Sequence, residues 1–309
     1  NTLAIIPIIS KQHHPRATEA ATKYFLVQAA ASATVLFSST VNAWATGTWD
    51  ITQLTNQHAC ITLTMALAMK LGLAPLHFWL PEVLQGTSLK TALIITTWQK
   101  LAPIALLYLT HQALHPATLL TMGVLSTLVG GWGGLNQTQT RKIMAYSSIA
   151  HLGWMATILT MAPNIMLLNL TLYLMMTTST FMMLIMASSK TIKDMTTMWA
   201  TSPTAAPLML VLLMSLGGLP PLTGFLPKWL ILQELTSHSL TMVATTMAIS
   251  TLLSLFFYLR LSYTTALTLS PTTPQHKMKW RLQPKTKTAV MTTTLVLSTL
   301  LLPITPTMV

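Results

Sequence analysis

The sequence is short of charge, and of acidic charge above all. Only 7% of its 309 residues are charged, and five are Asp or Glu. A water-soluble domain carries about 25% charged residues. A chain this long with so few charges cannot cover its surface with polar groups, so lipid is the solvent for most of it. Cysteine is nearly missing too. Cys60 is the one thiol, which excludes a disulfide framework and a cysteine-ligated iron–sulfur cluster held by this chain alone. There is no G-x-G-x-x-G, no P-loop and no H-E-x-x-H. If electrons or nucleotides are involved, another polypeptide carries them.

What is present is apolar: 52% of the residues are hydrophobic. A helix crossing a bilayer core of about 30 Å needs roughly 20 apolar residues. Nine runs qualify: 20–43, 58–80, 88–110, 117–137, 143–162, 165–188, 205–226, 239–262 and 288–308. No long low-complexity segment separates them, so 1–309 reads as a single, all-α, polytopic membrane domain. Residues 2–9 are apolar as well but too few to span. They read as the second half of a truncated helix at 1–10, and they lack the positive segment that would open a signal peptide.

Lys and Arg total 17, for a formal charge of +12. They sit mostly in short loops between the runs, which points to membrane topology rather than nucleic acid. Loops 11–19, 81–90, 138–142, 189–204 and 263–287 carry them, whereas 44–57, 111–116 and 163–164 have none. The sides alternate, with Lys228 the exception. That is the positive-inside pattern, and it puts the C-terminus opposite the basic loops. Trp44, Trp49, Trp79, Trp199, Trp229 and Trp280 fall near run ends, where interfacial anchors belong.

Two lysines stand where lipid should forbid them. Lys70 comes 12 residues after His58, roughly 18 Å along a helix, and Lys100 sits near the middle of 88–110. A lysine at the centre of a membrane helix costs about 2.5–3.5 kcal/mol on insertion scales. Snorkelling relieves that cost near helix ends but poorly from mid-span, so both lysines read as members of a polar path. His77 and His151 also fall within apolar runs. Each suits a proton relay near neutral pH, and each is equally well explained as a packed, satisfied side chain. Glu82 and Lys90 are expected to pair across a short loop, for little gain if exposed.

Two runs should also break. Gly72-Leu73-Ala74-Pro75 follows Lys70, and the stretch LGGLPPLTGFLPKW (216–229) holds three glycines and three prolines. Pro removes a helix donor and clashes with the preceding turn. Discontinuous helices of this kind occur in inverted-repeat transporters, and irregular backbone at that depth needs protein or water around it. Lys228 follows the second break and is expected to reach hydrated space.

These segments carry a resemblance that covers essentially the whole chain. RATEAATKYFL (16–26), MKLGLAPLHFWLPEV (69–83), TWQKLAPI (97–104), GGLNQTQTRKIMAYSSI (133–149) and 216–229 are similar to the subunit 2 family of the mitochondrial proton-pumping NADH dehydrogenase, that is, NADH:ubiquinone oxidoreductase or respiratory complex I. The resemblance implies antiporter-like, inverted-repeat helix bundles with two discontinuous helices. It implies proton translocation along an axis of Lys70, Lys100, Lys228, His77 and His151, within an oxidoreductase but with no redox site, metal or cofactor in this chain. NAD, FMN, iron–sulfur clusters and ubiquinone are expected in partner subunits, and the neighbours are other membrane-arm subunits and lipid. The implied location is the mitochondrial inner membrane, with basic loops on the matrix side and the C-terminus on the intermembrane side. The family has a glutamate just ahead of the position of Asn1, paired with the Lys70 position, and Glu19, in a basic loop, is not its equivalent. The alternative function is a free-standing cation/proton antiporter of the related class. A membrane scaffold with no transport role is a third reading.

Overall fold

The apolar runs form helix, and in three of them Gly with Pro, or a pair of threonines, interrupts it. The computed structural model describes residues 2–11, 14–52, 54–267 and 289–303. Its helices are α1 (Thr2–Ser10), α2 (Pro15–Thr46), α3 (Gln57–Leu71), α4 (Trp79–Gly86), α5 (Leu89–Thr96), α6 (Trp98–Leu109), α7 (Pro116–Gly134), α8 (Thr140–Ile158), α9 (Pro163–Met186), α10 (Ile192–Thr196), α11 (Met198–Thr201), α12 (Ala205–Gly217), α13 (Phe225–Ser237), α14 (Thr241–Ala266) and α15 (Ala289–Leu300). Among the described residues β pairing is confined to one bridge, Gln139 with Thr191. Among the described residues four helical stretches are long and apolar enough to cross a membrane: α2, α5 with α6, α9 and α14; α12 is a shorter apolar helix.

Both expected breaks are present, and they are built alike. At the first, α3 ends at Leu71 and Gly72 turns left-handed at φ 81°. The amides of Gly72 and Leu73 bond back to the Ala68 carbonyl, and helix resumes only at Trp79. At the second, α12 ends at Gly217, Gly218 sits at φ 80°, and helix resumes at Phe225. A residue with a Cβ pays roughly 1–2 kcal/mol for that conformation, and glycine pays almost nothing. The same phrase is written twice in the sequence. Gly72-Leu73-Ala74-Pro75-Leu76 leads to Leu80-Pro81-Glu82, and Gly218-Leu219-Pro220-Pro221-Leu222 leads to Leu226-Pro227-Lys228 at the same spacing. Pro75 and Pro221 are both preceded by cis peptides. In each case the second half-helix returns a donor to the first. Trp79 Nε1 donates to the Met69 carbonyl at 3.0 Å, and Lys228 Nζ donates to the Gly217 carbonyl at 2.9 Å. Those donors satisfy terminal carbonyls that a helix leaves unpaired.

The structure corrects several sequence expectations. Run 88–110 is not one helix: it breaks at Thr97, between α5 and α6. Thr96 and Thr97 donate their hydroxyls to carbonyls at Ala92 and Leu93, a back-bonding that bends helices, and Pro103 lies inside α6, where it lacks an N–H. Glu19 is on α2, not in a loop. Trp79 is buried in the first break rather than anchored at an interface, while Trp44 and Trp49 are exposed. Loop 189–204 contains α10 and α11. Lys277, Lys279, Arg281, Lys285 and Lys287, together with Trp280, lie outside the described residues.

At the centre stands α8, buried along almost its whole length. It packs on α7 at very short range. A Cβ on Gly130 would lie 2.7 Å from the Ala150 amide nitrogen, and one on Gly153 would lie 2.7 Å from the Gly123 carbonyl oxygen. Small residues let membrane helices approach closely enough for backbone contact. Around this pillar lie α4, α9, α13 and α14, which bring side chains from both broken helices toward α8.

Candidate functional site

The site begins with the break at Thr97. The Lys100 amide turns back to the Thr97 carbonyl at 3.3 Å, and among the described residues no backbone N–H reaches the Thr96 carbonyl. The Tyr173 hydroxyl on α9 donates to that carbonyl at 3.2 Å. The same hydroxyl accepts from the Lys100 ammonium at 2.9 Å. Lys100 is only 3% exposed, and its Nζ lies 4.8 Å from the centre of the Tyr173 ring, within cation–π range. The break therefore moves Lys100 from mid-helix to the first turn of α6, where a cation meets the positive end of a helix dipole.

His151 adjoins this pair. Its ring centroid is 5.4 Å from that of Tyr173, and its Nδ1 is 2.7 Å from the Ser147 carbonyl oxygen, one turn back on α8. The contact makes Nδ1 the protonated nitrogen and leaves Nε2 to exchange protons. His151 lies within electrostatic reach of Lys228 and Lys100. Lys228 is half-buried and caps α12 through Gly217. A Cβ on Gly218 would lie 2.8 Å from Lys228 Nζ, so the left-handed glycine also makes room for the lysine. Tyr258 on α14 packs beside Gly217, with its buried hydroxyl facing the Ser147 side chain of α8.

Three of the five expected site residues, Lys100, His151 and Lys228, are thus brought into one neighbourhood. Lys70 and His77 belong to the first break. Lys70 is half-buried in the last turn of α3, with Gln28 of α2 donating to its carbonyl. His77 is buried in the non-helical link, where its ring lies against the Pro75 backbone. Glu82 does not pair with Lys90: it accepts from Lys23 at 2.7 Å, and Glu19 accepts from the same ammonium at 2.6 Å. The cause is the packing of α4 on α2, and the cluster is solvent-facing. Among the described residues no group of His, Cys, Asp and Glu could hold a metal ion.

Residues 1–254 match the family model described as NADH:quinone oxidoreductase/Mrp antiporter, TM, and residues 255–309 match NADH dehydrogenase subunit 2 C-terminus. The chain belongs to the NADH dehydrogenase subunit 2 family. The NADH-ubiquinone oxidoreductase chain 2 of Varanus timorensis is 60% identical over 309 residues, which is 100% of this chain and 90% of that protein. That of Xenopus laevis is 58% identical over 306 residues, 99% of this chain and 89% of that protein. Among solved structures, a chain of respiratory complex I from Thermus thermophilus with bound aureothin superposes with a TM-score of 0.83 at 28% identity, covering 98% of this chain and 72% of that one. A chain of the Mrp complex from Dietzia gives 0.78 at 17% identity, covering 95% and 67%, and shows a shared fold.

Sequence reasoning missed Tyr173, Tyr258 and the Thr96–Thr97 break. One signal was available for the tyrosines: a phenol in mid-run, like a lysine there, needs a polar partner when buried. No comparable signal tied Tyr173 to Lys100, because 73 positions separate them.

Proposed function

We propose that this chain works as a proton-translocating membrane-arm subunit of NADH:ubiquinone oxidoreductase, with Lys100 as its central proton carrier. The observation that carries the reading is the buried Lys100–Tyr173 hydrogen bond beside His151 at a helix break. An intramembrane lysine so placed serves a path rather than packing. His151, with Nε2 free, passes protons between the Lys100 and Lys228 neighbourhoods. Lys228, leaning across the second break, gates the far end, and Lys70 and His77 serve the first. Driving one charge across 100 mV takes about 2.3 kcal/mol, so a lysine whose hydrogen bond to a helix end can be made and broken is a suitable gate. The chain acts as one membrane domain of about nine spans plus the helix at its start. The surrounding membrane is the mitochondrial inner membrane, with basic loops on the matrix side and the C-terminus on the intermembrane side. NAD, FMN, iron–sulfur clusters and ubiquinone belong to partner subunits.

The test is Lys100→Ala in the assembled complex. Pumping and the coupled reduction of ubiquinone should fall by about a hundredfold or more, the scale of a lost acid–base group, while assembly survives. Lys100→Arg should also impair pumping, since a guanidinium does not release its proton at usable pH. Wild-type pumping by an assembled Lys100→Ala complex would exclude the carrier role. A second reading, a free-standing cation/proton antiporter, draws on the Mrp-like fold. It requires cation–proton exchange by the purified chain without partners.

A further inference from the structure

We propose that the Tyr173 hydroxyl is a positioning group that ties the protonation of Lys100 to the continuity of the α5–α6 helix. The inference rests on the reading of Lys100 as a proton carrier and adds a conformational consequence to it.

A phenol hydroxyl has one hydrogen to give. In the structure that hydrogen goes to the Thr96 carbonyl at 3.2 Å, while the oxygen accepts from Lys100 at 2.9 Å. This arrangement suits a charged lysine, which has three donors and no acceptor. A deprotonated Lys100 gains a lone pair. An amine is a stronger acceptor than an amide carbonyl, so the hydroxyl turns its hydrogen toward Nζ and lets go of Thr96. The Thr96 carbonyl is then a buried acceptor without a partner, which is unfavourable in an apolar interior. The nearest remedy is the Lys100 amide, four residues on, now spent on a long 3.3 Å bond to Thr97. Shifting that amide to Thr96 closes the break into a regular turn and carries Lys100 round with it. No heavy-atom bond changes and Tyr173 keeps its proton. The proton lost by Lys100 leaves along the path, and the hydroxyl only rotates.

The groups that face this switch are His151 on α8, whose ring packs against that of Tyr173, the Ser148 side chain of α8, and Tyr258 on α14. Lys228 on α13 acts on His151, and Lys70 sits on α3, which packs against α6. Thr96 and Thr97 fix the last turn of α5 through their own bonds to Ala92 and Leu93, so the rearranging bond is the one made by the Lys100 amide.

The experiment uses the assembled complex. Tyr173→Phe keeps the ring against His151 and Lys100 and removes only the hydroxyl. Losing the acceptor of a charge-assisted bond, typically 1.5–3 kcal/mol, should move the alkaline limb of NADH-driven pumping to lower pH by about one unit or more. Cryo-electron microscopy should show the Lys100 amide on Thr96 at every pH. A uniform drop in rate with the limb unmoved would mean the hydroxyl is merely structural, and would overturn the proposal. If the variant does not assemble, the wild-type complex imaged on both sides of that limb decides: the break should be open on the acid side and closed on the alkaline side, and an unchanged break refutes the switch. Lys100→Ala is run in parallel. Normal pumping there sinks the carrier reading itself, whereas impaired pumping there with a wild-type Tyr173→Phe sinks the switch alone.

Discussion

At the scale of single residues, the chain places a few polar side chains in apolar surroundings and gives them partners there: a hydroxyl for Lys100, backbone carbonyls for His151 and Lys228. Lys228 illustrates the logic. Its ammonium is held by the Gly217 carbonyl, and the adjacent Gly218 has no side chain to obstruct it. Gly218→Ala introduces a methyl group 2.8 Å from that nitrogen and strains a left-handed residue by roughly 1–2 kcal/mol. Coupled pumping in Gly218→Ala should fall to about the level of Lys228→Ala, with the complex still assembled, and the displaced ammonium should be visible by cryo-electron microscopy. Full pumping with Lys228 swung away from Gly217 would show that the cap has no part in gating. This lysine could be read from sequence, since it follows the Gly/Pro break. Its partner could not, because the Gly217 carbonyl becomes available only once α12 stops.

At the scale of elements, two kinds of contact make distinct predictions. The α7–α8 seam depends on absent side chains. Gly130→Ala puts a methyl group 2.7 Å from the Ala150 nitrogen and 2.9 Å from the Tyr146 carbonyl oxygen, atoms that cannot rotate away. Overpacking of this kind typically costs 1–3 kcal/mol, and it should appear as a lower melting temperature of the detergent-solubilised complex. Outside the membrane, α10 is closed by a capping box. Thr191 accepts from the Asp194 amide, and the Asp194 carboxylate accepts from the amides of Thr191 and Lys190. Burial pushes the Asp194 carboxyl up, but the backbone N–H groups of Thr191 and Lys190 overcome it and hold the group below the usual carboxylate range. A depressed folded-state value means stability that is fully present above the unfolded value of about 3.9 and lost as pH falls through the lower folded value. Hydrogen exchange across 189–197 should therefore speed up relative to the rest of the chain only in strong acid. Thr191→Ala, removing a cap worth about 1 kcal/mol, should raise it at neutral pH. Exchange that ignores both changes would mean that the Thr140 bonds to Ser189 and Lys190 alone hold this segment.

At the scale of the whole molecule, the chain presents large aromatics outward, with Trp44 95% exposed and Trp132 75%. Large apolar surface left outward in this way marks contact with lipid or with other chains. The chain purified alone in detergent should accordingly aggregate or broaden on size exclusion and show no cation–proton exchange, while the same chain in the assembled complex stays monodisperse. A stable, exchanging monomer would favour the antiporter reading instead.

The sequence by itself determined that this is an all-α membrane chain, that lysines lie in its interior, and that two helices break. Each follows from near-neighbour chemistry: too few charges for water, lysines far from a run's ends, and Gly with Pro where a helix needs amides and ordinary φ. The break at Thr97 was half legible. Thr96, Thr97 and Pro103 all disfavour a straight helix, yet the apolar run continues through them. Only the tertiary structure decided what the lysines touch. Tyr173 meets Lys100, and Glu82 meets Lys23 rather than Lys90, because α9 packs on α5 and α4 packs on α2. A side chain's partner across a bundle is set by helix packing and by where each helix stops, and neither is written in the residues beside it.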